Sequence, residues 1–302
     1  MNLNTIVKNL MIHNFSLEKP SHILVIGDHS TGELAKQFEE ALLEDGWESD
    51  YYLMEDRAKD GEEPPEEVAQ KMLNYEVVFC LTKYSLTHTM ARRNANESGT
   101  SVITMPGITE DMFLNGAMKA DYSRVEKETF EQAEKLTASK KVTIHTGEMY
   151  ELSIPIETRK GIPSTGVFRE KAASGNLPSG EAYIAPLEGQ ANGEILITGS
   201  IASIGLVKEP VLLTVENGRL INASGEQGKK LLEILGEGNG RMLAELGIGT
   251  NYEARIIGRI LEDEKAYNTI HIAFGSNHTF GGTIQADVHI DCVTKKPKII
   301  WS

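Results

Sequence analysis

Residues 261–293 concentrate the side chains able to do chemistry. The chain has eight histidines, and His271, His278 and His289 fall within nineteen positions here, with Glu262, Asp263 and Glu264 on one side and Asp291 on the other. Neutral imidazole and carboxylate are the usual side-chain ligands of zinc, cobalt, manganese and non-haem iron. His289 and Asp291 stand two apart in the strand-like run VHIDCV (288–293), and a strand turns residues i and i+2 to the same face. The pair is therefore either two converging ligands or a hydrogen-bonded His–Asp couple on a half-exposed strand. A second strand-like run, TIHIAF (269–274), carries His271. Two such strands side by side supply three ligands, an ordinary metal site. His278 lies in the joining loop GSNHTFGG, a place for a substrate contact.

Further acids precede this stretch. Glu253 follows GIGTN (247–251), where glycines let the backbone approach a partner closely. Glu181 enters an apolar strand directly after Pro178-Ser179-Gly180. Three adjacent carboxylates are costly to bury together, so at least one of Glu262, Asp263 and Glu264 is expected in water and at most one at the chemistry.

The elements that must position these residues change in texture along the chain. Up to about residue 140, buried strand runs (22–27, 50–54, 75–81, 101–105) alternate with helical stretches (3–12, 33–44, 66–73), and a long helix follows at 120–138. That alternation predicts a doubly wound parallel-sheet α/β domain over 1–140. The loop Gly27–Gly32 lacks the GxGxxG pattern and a Walker lysine, so it reads as a strand-to-helix turn. Residues 141–302 form short alternating runs separated by Gly and Asn turns, which predicts a mostly antiparallel β-rich domain carrying the metal site. One helix is expected within it at 227–246, broken in two by Gly236, Gly238 and Gly240.

Composition bounds the partners. A formal net charge of −14 argues against nucleic acid or an anionic membrane surface, both of which need a cationic face. Cys80 and Cys292 lack CxxC spacing, which argues against a cysteine zinc site; the two leave room for one disulfide between them but make no disulfide framework. With no signal-type apolar core and no run of membrane-spanning length, the expected location is the cytoplasm.

Three segments, GNLPSGEAYIAP (175–186), ELGIGTNYEARIIGRILEDEKAYNTIHIAFG (245–275) and GGTIQADVHID (281–291), resemble the metal-site segments of the aminopeptidase T family of thermophilic metallo-aminopeptidases. SLTHTMARRNANESGTSVITMPGIT (85–109) is similar to the segment such proteins carry ahead of the catalytic domain. The resemblance implies Glu181, Glu253, His271, His289 and Asp291 as metal ligands, two divalent ions (zinc, cobalt or manganese), a metal-activated water, and release of N-terminal residues from peptides. It implies Glu253 or Glu264 as proton carrier, a peptide or small-molecule substrate, and a homodimer. One position departs: the family's active-site tyrosine, seven residues after the match of His271, is His278 here, where an imidazole N–H can donate in its place. The superfamily also resembles 2,5-dihydroxypyridine 5,6-dioxygenase, which uses one non-haem iron. His271, His289 and Asp291 match a 2-His-1-carboxylate Fe(II) set, so a ring-cleaving dioxygenase is the alternative, beside a catalytically degenerate metal-binding member. The two extra glutamates favour the two-ion hydrolase.

Overall fold

The computed structural model describes residues 2–302. In chain order the elements are α1 (Leu3–Asn14), β1 (His22–Asp28), α2 (Gly32–Glu44), β2 (Glu48–Met54), α3 (Glu66–Met72), β3 (Val77–Leu81), α4 (Met90–Glu97), β4 (Ser101–Thr104), α5 (Glu110–Leu114) and α6 (Tyr122–Ala138). There follow β5 (Lys141–Thr146), β6 (Tyr150–Pro155), β7 (Ile162–Ser164), β8 (Ser174–Asn176), β9 (Glu181–Ile184), β10 (Asn192–Ile197), β11 (Ser200–Ile201), β12 (Gly205–Leu206), β13 (Val211–Glu216) and β14 (Arg219–Ala223). The chain ends with α7 (Gly225–Leu235), β15 (Leu243–Gly249), α8 (Ile260–Asp263), β16 (Thr269–Gly275), β17 (His289–Lys295) and β18 (Lys298–Trp301).

Two compact units form: Met1–Ser123 with Gly166–Ser179, and Arg124–Thr165 with Gly180–Ser302. The passage between them comes at the start of α6, earlier than residue 140. Ala133 and Leu136 of α6 are buried with the core of the second unit, while residues 166–179 return to the first unit and bring β8 to its sheet edge.

The first unit is a parallel sheet in the order β2-β1-β3-β4-β8. Its central strands are near-continuous apolar runs, buried along their length, as a parallel sheet covered on both faces requires. At the end of β1 the fully buried Asp28 ties down the turn into α2. Its Oδ1 accepts hydrogen bonds from Ser30 N (3.1 Å), Thr31 N (3.1 Å) and Thr31 Oγ1 (2.9 Å), and its Oδ2 accepts one from Lys83 N (2.6 Å).

The second unit has two sheets, β14-β13-β10-β6-β5-β18 and β12-β11-β17-β16-β15-β9-β7. The pairings in both are antiparallel. Apolar faces of the two sheets share one core: Val142, Ile144, Leu152 and Ile154 from the first, Ile184, Leu246, Ile270, Ile272 and Cys292 from the second. Burying these side chains is the main stabilising term, at about 1.5–3 kcal/mol for each large aliphatic. The alternate residues of β9, β15, β16 and β17 therefore point to the opposite face of the seven-stranded sheet.

The helix expected at 227–246 is real only in its first half. α7 ends at Leu235, where Gly236 takes φ +61°, and 243–249 is β15, an interior strand of the seven-stranded sheet. Between Leu243 and Glu245 the register to β16 shifts by one residue, a β-bulge. Ala244 is the extra residue, so Leu243 and Leu246 both face the core although three apart in sequence, and Glu245 between them faces outward.

Candidate metal centre

On that outer face the pairing register sets out a grid. Tyr183 of β9 lies across from Gly247 of β15, and Gly247 across from His271 of β16. Glu245 lies across from Ala273, and Ala273 across from Asp291 of β17. Glu181 pairs with Gly249, and His289 with Gly275. Residues without large side chains thus floor the site while imidazoles and carboxylates rise around them. The requirement is steric: a Cβ on Gly247 would lie 2.1 Å from Cε1 and Nε2 of the His271 ring.

Three groups of potential ligand atoms result, each within 4.8 Å: Glu181, Glu245 and His271; Glu245, His289 and Asp291; Glu264, His271 and Asp291. His271 Nε2 stands 3.2 Å from Glu245 Oε1 and 3.3 Å from Glu181 Oε2. His289 Nε2 is 3.4 Å from Glu245 Oε2 and 3.5 Å from Asp291 Oδ1. The other nitrogen of His289, Nδ1, donates to the carbonyl oxygen of Ser276 at 2.8 Å, which aims Nε2 at the acids, as a ligand histidine is normally aimed. Lys265, 1% exposed, ion-pairs with Glu181 and Glu264.

The groups of this cluster shift one another's protonation strongly. Burial works against a charged His271, but its hydrogen bond to Glu245 and the charges of Glu181, Glu245 and Asp291 outweigh that, lifting its pKa to about 9. His289 rises against its own burial to about 10, chiefly through Asp291. Asp291, which burial alone would raise, is held down to about 2 by His289, His271 and Lys265. Burial pushes Glu264 up to about 8, with Lys265 opposing and Glu181 and Asp291 reinforcing. Burial and the surrounding carboxylates likewise raise the Tyr183 phenol. Two buried polar atoms of the cluster, Glu181 Oε2 and His271 Nδ1, find no hydrogen-bond partner among the described residues. Orphans of that kind cost about 1–3 kcal/mol each. Four carboxylates facing two imidazoles and one ammonium, with a carboxylate oxygen left over, make a donor set that fits divalent cations.

The structure gathers five of the seven residues singled out from sequence: Glu181, Glu264, His271, His289 and Asp291. The other two lie elsewhere. Glu253 is exposed on the turn after β15, outside all three groups, and Glu245, eight residues earlier, stands where an acid was sought. His278 is exposed in the loop after β16, its Nδ1 2.8 Å from Ser276 Oγ. The expectation that one of the three adjacent acids lies in water also fails, because each has its own partners. Glu262 accepts from Arg255 N and Nε (both 3.0 Å), Asp263 accepts from Ile257 N (2.7 Å) and Gly258 N (3.0 Å), and Glu264 turns to Lys265. The first two fold the 255–259 segment, leaving one acid for the cluster.

Two residues went unseen from sequence, Glu245 and Lys265. For Glu245 the signal was the alternation from 245 onward, in which Glu245, Gly247 and Gly249 share one face and Leu246 and Ile248 the other.

Fold and cluster together define a mixed α/β protein whose antiparallel sheet carries a cluster of imidazoles and carboxylates with the donors to hold metal ions. The thermophilic metalloprotease family (M29) matches over residues 50–291, and the chain belongs to that family. No curated protein sequence matches it. Among solved structures, a 2,5-dihydroxypyridine dioxygenase from Pseudomonas putida KT2440 superposes with a TM-score of 0.82 at 13% identity, over 99% of this chain and 93% of its own. Wild-type AmpT from Thermus thermophilus superposes with a TM-score of 0.67 at 16% identity, over 96% and 92%. At these identities both likenesses are of fold. No helix among the described residues is long and apolar enough to cross a membrane.

Proposed function

We propose that the chain is a metal-dependent aminopeptidase, removing N-terminal residues from peptides by attack of a metal-activated water. The observation that carries this reading is the set of ligand groups on one sheet face, linked through Glu245 and holding two orphaned buried polar atoms. Glu181, Glu245 and His271 would hold one ion and Glu245, His289 and Asp291 a second, with Glu245 serving both. Zinc, cobalt and manganese suit these donors. Bound there, divalent ions supply a water of lowered pKa and polarise the scissile carbonyl. The remaining tasks fall to the chain itself. Lys265 fixes the orientation of Glu181 and Glu264. Glu264, beside the ligand groups and outside the two that would hold the ions, carries the proton to the leaving amine. The acidic field of the cluster draws in a free α-amino group, which gives preference for chain termini. Glu253 and His278, exposed and outside the groups, take no direct part in this scheme.

The specific observation behind a second reading is that His271, His289 and Asp291 compose a two-imidazole, one-carboxylate set, in a fold shared with a dihydroxypyridine dioxygenase. One measurement separates the two: metal analysis of protein purified without added metal, followed by assay on leucine anilide. Two zinc, cobalt or manganese ions per chain with anilide hydrolysis is the expected result. One iron with oxygen uptake on a dihydroxylated ring overturns the peptidase, and no metal at all makes the chain a degenerate member. The family resemblance further implies a homodimer, which sedimentation tests. Cys80 and Cys292, both free and buried, suit the cytoplasm.

A further inference from the structure

Tyr183 stands on the site face of β9, two residues from Glu181 and directly across Gly247 from His271. Its ring is held from one side. The loop after β16 folds around the buried Asn277, whose Oδ1 accepts from Ile284 N (2.8 Å) and whose Nδ2 donates to the Ala244 carbonyl (3.3 Å). That loop lays Phe280 edge-on against Tyr183 (centroids 5.5 Å apart) and against His289 (5.9 Å). Phe280 therefore bridges the two rings at the rim of the cluster. Glu245, Glu181, Lys265 and Glu264 all act electrostatically on the Tyr183 hydroxyl. Among the described residues that hydroxyl has no hydrogen-bond partner. A half-buried donor beside the ligand groups, held by ring packing and claimed by nothing in the protein, is in place for a substrate atom.

We propose that the Tyr183 hydroxyl donates a hydrogen bond to the carbonyl oxygen of the scissile peptide, a catalytic role not foreseen for this position. The assignment rests on the hydrolase reading above. In that reaction the water oxygen bonds to the carbonyl carbon and the C=O π pair moves onto oxygen. The oxygen pair then re-forms C=O as the C–N bond breaks, and the nitrogen takes up the proton that the water gave up, carried by Glu264. Tyr183 keeps its own proton throughout and stabilises the charge on the carbonyl oxygen, as preorganised donors do. The assignment also separates two candidates for one task. His278 occupies the position expected from family resemblance but is exposed and engaged with Ser276; Tyr183 borders the ligands.

The test is Tyr183→Phe, which keeps the ring and its contact with Phe280 and removes only the donor. On leucine anilide, kcat falls by about 100-fold or more, the usual loss of an oxyanion donor. KM and the bound metal count stay unchanged. Affinity for an aminoalkyl boronate, whose tetrahedral form carries the corresponding oxygen, falls in parallel, while affinity for free leucine does not. His278→Ala changes neither kcat nor boronate binding. If Tyr183→Phe matches the unsubstituted protein in both kcat and boronate affinity, Tyr183 is not the donor even though the hydrolase stands. If the unsubstituted protein neither cleaves the anilide nor binds the boronate, the hydrolase reading falls and this assignment falls with it.

Discussion

Each unit of this protein buries acids on or beside strands, and the two dispose of them in opposite ways. Asp28 in the first unit is 0% exposed, and both its oxygens accept hydrogen bonds from backbone N–H groups, with a threonine hydroxyl as well. In the second unit Glu181, Glu245 and Asp291 are also under 10% exposed, yet they face one another across a sheet. Their partners are shared, and one of their oxygens is left orphaned. A buried acid whose acceptors are saturated by local donors serves the fold. Buried acids that crowd together with unmet capacity cost stability and persist where a cation answers them. Glu262 and Asp263 belong to the first kind although they are chain neighbours of Glu264, which belongs to the second.

Substitutions sharpen that contrast. The largest effect is expected for Glu245→Ala, which removes the acid common to two ligand groups. Metal affinity falls by more than about 100-fold, exceeding the loss typical of an outer partner. Calorimetric metal titration checks this, and an unchanged metal affinity breaks the contrast. Gly247→Ala comes next. The new methyl meets the His271 ring and displaces it, costing about 10–100-fold in metal affinity with the fold retained by circular dichroism. Asp28→Ala reverses the pattern: it strands backbone donors and lowers stability by about 1–3 kcal/mol in urea, with the bound metal count untouched. Smallest is Glu253→Ala, exposed and outside the groups, with a stability change within about 0.5 kcal/mol and full metal retention.

The alternation of apolar runs and helices made the parallel sheet legible, because its strands are continuous apolar segments bounded by glycine and charge. The pairs His289/Asp291 and the strand of His271 were legible for a similar reason: period-2 spacing fixes their face without knowledge of the partner strand. Glu245 was hidden by the bulge. Inserting one residue puts Leu243 and Leu246 three apart on the same face, which is helical spacing, so RMLAEL continues the α7 pattern in sequence and breaks from it in space. The placement of Glu253 was hidden for a related reason, since a turn residue has no periodic face to betray it. Roles within the run Glu262–Glu264 depend on donors from 255–258 that only the folded chain brings back. Tyr183, inside the segment 175–186, carried no signal in sequence, because only the pairing of β9 with β15 sets it beside the cluster.

The bulge has a second consequence. With Ala244 deleted, the remaining residues of β15 would pair with β16 as an unbroken ladder, and Leu243, Glu245 and Leu246 would keep their present faces. What the extra residue adds is the Ala244 carbonyl, to which Asn277 donates. The strand therefore separates two inheritances. Its alternating side chains carry the acids, and its one surplus residue tethers the loop that bears Phe280. A lineage is free to lose or retune that tether, reshaping what lies over the cluster, without moving a single ligand.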